Sequence, residues 1–304
     1  AGALQEAGVE VRVFDKGRGP GGRVATRRHE TGSFDHGAQF FTARTERFRS
    51  RVATWVETGQ AALWEGRIVV LEEGRESLPR GNAERFVGVP GMSELGRALG
   101  EGVDVRSGLR IRDLARTGDE WSLRHDAGRE GPFSRVVLAM PPAQAAALAS
   151  ALAPRLSPVR LRPCWAILAA YPGRLPLDFD GAFVENAALS WIARDGSKPG
   201  RPPGERWILH GSPEWSEAHL EDKPERVADA LLTAFAAAVG RDLPPPGFRA
   251  AHRWRYALPR EPLAEPFVLG DDGLGACGDW CGGPRVEGAC LSGMTMAEKI
   301  LAID

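Results

Sequence analysis

Residues 9–23 read VEVRVFDKGRGPGGR, and this stretch decides the fold. The alternation from Val9 to Phe14 predicts a strand that stops on Asp15, and the glycine density that follows excludes a regular element. A carboxylate at such a strand end accepts hydrogen bonds from a ribose diol, or is an ordinary strand-end aspartate. Gly21 and Gly22 let backbone approach a pyrophosphate, and Arg23 directly after them offers bidentate donors to it. Residues 1–8 (AGALQEAG) read as the tail of an alanine-rich helix closed by Gly8. In a dinucleotide-binding βαβ unit the 9–14 strand is then the second one. The first strand and its Gly-x-Gly-x-x-Gly turn are expected ahead of Ala1.

Working outward, the chain has 304 residues, 43% hydrophobic and 26% charged, which excludes disorder as the main state and suggests two domains. Lys+Arg 39 against Asp+Glu 40 leaves a net charge of −1, so no bulk field favours nucleic acid or an anionic membrane. Four of the basic residues are lysine (Lys16, Lys198, Lys223, Lys299), so a mechanism that needs a titrating lysine has few candidates. Four cysteines make neither a disulfide framework nor, at Cys277 and Cys281, a zinc site. They read as reduced and packed, in a cytoplasmic setting. No apolar run is long enough for a transmembrane helix.

Further along, residues 51–58 read as helix and 61–71 as a hairpin turning at Glu65-Gly66. A helix is expected after Pro90-Gly91-Met92, then strands near 103–114, 119–125 and 134–139, then an Ala/Leu helix at 143–153. Strand candidates at 164–171, 181–185, 189–193, 205–210 and 249–256 surround one amphipathic helix at 223–239. This reads as an inserted, mainly antiparallel sheet with a helix beside it. Short strands at 267–269 and 274–277 and a final helix at 288–302 close the chain. The last strand leads to Gly278-Asp279, where Asp279 can meet a hydroxyl or the pyrophosphate of a bound dinucleotide. Val286-Glu287-Gly288-Ala289 opens the final helix with free N–H groups at its positive end.

DKGRGPGGRVATRR (15–28) with FDHGAQFFTAR (34–44) resembles the amine oxidase superfamily of flavoproteins. The chain as a whole is similar to the bacterial renalases within it. That likeness runs through VGVPGMSEL (87–95), VVLAMPP (136–142), FVENAALSWIARDGSKPGR (183–201), LHGSPEWS (209–216), HRWRYALP (252–259) and ACGDWCGGPRVEGACLSGMTMAEKI (276–300). The resemblance implies an α/β, two-domain FAD-binding fold, Rossmann-like and of glutathione-reductase type. The FAD-binding domain is expected at 1–50, 85–155 and 265–304, and the substrate domain at 51–84 and 156–264. It implies FAD held by Asp15, Lys16, Gly22, Arg23, Gln39, Phe40, Gly278, Asp279 and Val286 to Ala289, with Ile111, Ala139, Met140 and Pro141 toward the adenine. The free amides at 286–289 suit the negative charge that reduced flavin carries.

On the substrate side the resemblance points to Phe41, Thr42, Asn186, Trp191, His210, Ser212 and Trp280, although each reads equally as structural. The expected reaction is oxidation of 2- and 6-dihydroNAD(P) isomers to NAD(P)⁺, with O₂ reduced to H₂O₂. Neither a catalytic base nor a metal is expected. Amine oxidation on the same fold is the alternative, with Lys198 the one lysine placed for it. A non-catalytic flavin- or nucleotide-binding protein is the third reading. The oligomeric state is open.

Overall fold

The computed structural model describes residues 1–78 and 83–303. Its largest element is a seven-stranded sheet in the order Phe248–Pro259, Leu161–Tyr171, Glu205–Gly211, Leu189–Arg194, Gly181–Glu185, Ile68–Glu72, Arg75–Ser77. Every ladder is antiparallel except the one between Gly181–Glu185 and Ile68–Glu72. Alternation then sorts the side chains. Trp165, Ile167, Ala169, Trp207, Leu209 and Ile192 point to one face, where helix Pro224–Ala238 buries Val227, Leu231 and Phe235 against them. Burial of that layer is hydrophobic stabilisation of the ordinary kind.

The opposite face is chemically different. Directly paired residues share a side of the sheet, so the register sets one row across six strands: Val70, Phe183, Trp191, His210, Ala166, His252. Segment 34–40 lies against this row. Phe34 packs with Leu168, Ile208 and Phe248, and Phe40 sits 5.2 Å from the Trp191 ring.

The parallel strands form two separate ladders. Arg12–Asp15 pairs with Asp104–Ser107, and Val136–Leu138 pairs with Leu274–Ala276, which also takes the short antiparallel strand Val268–Leu269. Among the described residues no strand pairing joins the two ladders. Their carboxyl ends are linked by side chains instead: Lys16 donates to Gln144 at 3.2 Å, and Arg23 pairs with Asp279. Helix Val286–Leu301 and the meander Ile111–Thr117, Glu120–His125, Gly128–Phe133 complete this half.

The α/β class expected from the sequence is thus present, with several local differences. Residues 61–71 are not a hairpin: Ala61–Leu63 pairs with Phe86–Gly88, while Ile68–Glu72 joins the large sheet. The strand expected at 103–114 is two, because Gly108 turns the chain with φ +78°. The first strand begins at Arg12 rather than Val9, and the last helix begins at Val286, two residues early.

What fixes segment 34–40 against the sheet is a buried charge cluster. Asp35, wholly buried, accepts from the Thr26 hydroxyl (2.6 Å), the Met92 N–H (3.0 Å), Lys198 (3.5 Å) and Arg201. Lys198 also reaches Asp195 at 2.8 Å and the Gln39 side-chain oxygen at 3.2 Å. Burial would raise the Asp35 carboxyl; Lys198 and Arg201 outweigh it and hold the carboxyl below its ordinary value. Because that folded-state value lies below the unfolded one, the contribution is full above about pH 4 and is lost as pH falls through the folded value. Asp35→Asn leaves two buried cations with half their counter-charge. Urea unfolding of this variant should read about 3–5 kcal/mol less stability at pH 7. An unchanged midpoint would show that the cluster is not structural.

Candidate functional site

The loops that carry the expected dinucleotide motifs follow the carboxyl ends of parallel strands, where ligands of open α/β sheets bind. Asp15 ends its strand and accepts from the Gly17 N–H at 2.8 Å, which tightens the turn into the glycine loop. Ala139, Met140 and Pro141 follow Val136–Leu138, and Gly278-Asp279 follows Leu274–Ala276. Arg23 binds both Asp279 oxygens, at 2.7 and 2.5 Å, and the Ala257 carbonyl at 2.8 Å. Its bidentate geometry is as the sequence suggested, but the acceptor is a carboxylate of the chain. Ile111 is half-buried against the cluster around Trp280, and Lys16 and Gly22 are exposed.

Helix Val286–Leu301 starts after Arg285, which gives no side-chain cap. Its first intrahelical bond is Ala289 to the Arg285 carbonyl. Among the described residues, the amides of Val286, Glu287 and Gly288 therefore have no protein acceptor, and the helix dipole adds positive potential there. Gly288 is buried on the Gly283 carbonyl: a β-carbon at 288 would overlap it. The Glu287 carboxylate is not free for a cofactor. It accepts from the Thr45 N–H and hydroxyl (both 2.8 Å) and the Arg44 N–H (3.2 Å), so only its backbone remains available. Ala289 is exposed. Three unpartnered amides and the close backbone approach at Gly288 form a donor set that fits the negative charge of FAD, with the Arg23–Asp279 pair beside it at the ends of the parallel strands.

Gln39 is likewise committed. It donates to the carbonyls of Asp35 and Gly37 and accepts from Lys198, bracing the turn before Phe40. Phe41 is core, packed edge-on to Phe48 and Trp55, and Thr42 next to it is half-buried. Phe40, Trp64, Phe183 and Trp191 form an aromatic group in which the Trp191 Nε1 is buried with no partner. His210, next to Trp191 in the row, meets the His36 carbonyl at 3.3 Å and is held down to about 4 by burial, so its ring is neutral at pH 7.

Three expected substrate residues lie elsewhere in role or place. Asn186 is exposed in the hairpin turn between Gly181–Glu185 and Leu189–Arg194, at φ +55° and bonded to Glu72. Ser212 caps helix Pro213–Ala218 through Trp215. Trp280 is buried in the core with its Nε1 on the Met140 carbonyl. Cys277 and Cys281 are buried thiols pushed up to about 11 and about 12 by desolvation, hence inert packing. Among the described residues no His, Cys, Asp and Glu cluster suits a metal. Nor is any helix there long and apolar enough to cross a membrane.

Sequence reasoning passed over His36, His252 and Trp254. The signal was present: alternation from Phe248 sends Ala250, His252 and Trp254 to the same side.

Residues 53–301 match the family of flavin containing amine oxidoreductases, and residues 1–54 match an NAD(P)-binding Rossmann-like domain. Among solved structures the chain resembles a protein described as a protoporphyrinogen oxidase from Exiguobacterium sp. 255-15, at TM-score 0.81 and 14% identity over 99% of this chain and 95% of that one. It also resembles a putrescine oxidase bound to putrescine (TM-score 0.69, 14% identity, 99% and 96% covered). Cyclohexylamine oxidase from Brevibacterium oxydans IH-35A is a third (0.72, 12%, 98% and 94%). At such identities the likeness is one of fold.

Two glycines of the last helix test the donor set. Gly288→Ala drives a methyl into the Gly283 backbone and should cut bound flavin per chain by about tenfold. Gly293→Ala, with nothing within 4 Å of its added carbon, should keep wild-type flavin and gain about 0.5–1 kcal/mol. Absorbance at the flavin band against protein decides it; equal flavin in both variants would remove the helix start from the site.

Proposed function

Because the chain belongs to the flavin containing amine oxidoreductase family, an oxidoreductase with FAD as cofactor, we propose that it oxidises 2- and 6-dihydro isomers of NAD(P)H to NAD(P)⁺. FAD, held at the helix start 286–288, would supply the hydride acceptor; the substrate's hydride and one proton would then leave on O₂ as H₂O₂. Loss of hydride from a dihydropyridine leaves an aromatic pyridinium and is driven by the ring nitrogen's lone pair, so the protein need not supply a base.

The observation that carries this reading is the row facing segment 34–40. Phe183, Trp191, His210 and His252 present flat rings, with Phe40 and Trp64 beside them. Such a face suits a flat, uncharged ring through stacking and exclusion of water. His210 stays neutral at pH 7 and so does not repel the cationic product. Trp191 Nε1, buried without a partner, supplies one donor to a ligand carbonyl. The seven-stranded sheet is, in this reading, the substrate side of the molecule.

Amine oxidation is the second reading. The putrescine and cyclohexylamine oxidases named above act on amines, and Lys198 lies 5.7 Å from the Trp64 ring. Against it, the Lys198 ammonium is already enclosed by Asp195, Asp35 and Gln39. No carboxylate lies in the row to receive an ammonium.

Anaerobic mixing separates the two. The flavin should bleach within seconds with 6-dihydroNAD and not with a primary amine such as putrescine. Rapid bleaching by the amine alone would replace this proposal with the second reading.

A further inference from the structure

The hairpin of Thr26–His29 and Gly32–Asp35 lies across the Phe248–Pro259 strand. In its register Arg27 is opposite Phe34 and His29 opposite Gly32, so Arg27, His29 and Phe34 share one face. That face meets the large sheet: Phe34 packs on Phe248, and His29 stacks on Phe248 at 3.8 Å. Beyond Phe248 on the same side come Ala250, His252 and Trp254. At the far end the His36 ring meets His252 edge-on at 4.6 Å. Arg27 is therefore set between His29 and the His36–His252 pair, at the edge of the row.

These bases have no acid. Among the described residues the exposed Arg27 side chain makes no hydrogen bond or ion pair, and neither does the His252 ring. His36 is 6% exposed, and its Nδ1 is buried without a partner. Arg27 acts on both rings, His252 and His210 act on His36, which also bonds the Ala25 backbone, and Lys198 acts in turn on His210; no Asp or Glu is among them. Bases brought together without a counter-charge are completed by an anion.

We propose that Arg27, His36 and His252 form a subsite for a phosphate group of the substrate. The identity of that substrate, a dihydronicotinamide dinucleotide, rests on the reading above; the phosphate chemistry rests on these three residues. Burial, with Arg27, keeps both rings below their ordinary value, His36 at about 4, so they are neutral until an anion arrives. Phosphate binding then brings proton uptake and tightens as pH falls from 7 toward 5.

The test uses flavin-loaded protein and inorganic phosphate, followed by the histidine ring resonances. His36 and His252 should shift on titration. Arg27→Ala and His252→Gln should each weaken binding by about tenfold with flavin content unchanged. Arg28→Ala, on the hairpin's other face, should bind as wild type. A kinetic arm names the source of the phosphate. Arg27→Ala should raise KM about tenfold for 6-dihydroNAD and leave 6-dihydronicotinamide riboside unaffected. If phosphate fails to bind, or binds equally in Arg27→Ala, the subsite is overturned. It is equally overturned if Arg27→Ala lowers flavin content instead, which would assign these bases to the cofactor's own pyrophosphate. If phosphate binds as described but neither dihydronicotinamide is oxidised, the subsite stands and the substrate reading falls.

Discussion

One carboxylate holds the two halves of the molecule in register. Asp35 gathers a hydroxyl from its own hairpin, a backbone amide from the 90–92 turn, and two cations from the loop after Leu189–Arg194. Each donor, left alone in the interior, would cost several kcal/mol in lost hydration. Brought to one acceptor they satisfy each other, and the arrangement works only if hairpin, turn and loop all reach their places. Asp195 sharpens this: desolvation, with Asp35 beside it, holds its carboxyl above the ordinary value, although Lys198 at 2.8 Å works against the rise. The position of His36, Gln39 and Phe40 over the sheet follows from that meeting point, and with it the shape of the candidate site.

The two faces of the large sheet show how one alternation serves two purposes. The face under helix Pro224–Ala238 is packed mainly with large apolar side chains, and the polar groups among them are paired: the Trp165 indole donates to the His219 carbonyl, the Trp207 indole to Glu205, and Arg194 also meets Glu205. The other carries histidines and tryptophans and faces segment 34–40, and polar atoms lack partners on both sides of that contact, at Trp191 and at His36. A buried donor without an acceptor is a deficit that folding alone does not make good. A ligand that brings the acceptor gains what folding left unspent.

Much of this was legible in sequence because it is local. Strand alternation into Asp15, the double glycine before Arg23, Gly278-Asp279 after an apolar run, and the uncapped start of the last helix all need only neighbours along the chain. What escaped depends on remote partners. Residues 61–71 look like a hairpin until Ala61–Leu63 finds Phe86–Gly88 and Ile68–Glu72 finds Gly181–Glu185. Glu287 sits in a cofactor motif, yet its carboxylate serves Arg44 and Thr45, some 240 residues away. Asn186 lies in a motif-bearing stretch, but at φ +55° it forms the turn between two strands. The histidine pair joins positions 36 and 252, a pairing visible only once the strand register is known.

The Glu287 contact has a consequence for motion. Thr45 is the cap of helix Glu46–Glu57, and Glu287 sits in the first turn of helix Val286–Leu301, so a single carboxylate ties the openings of both helices together. Local unfolding of either must break the same hydrogen bonds, which makes the pair one cooperative unit in amide exchange. A ligand that held the amides at 286–288 would slow exchange along 46–57 as well.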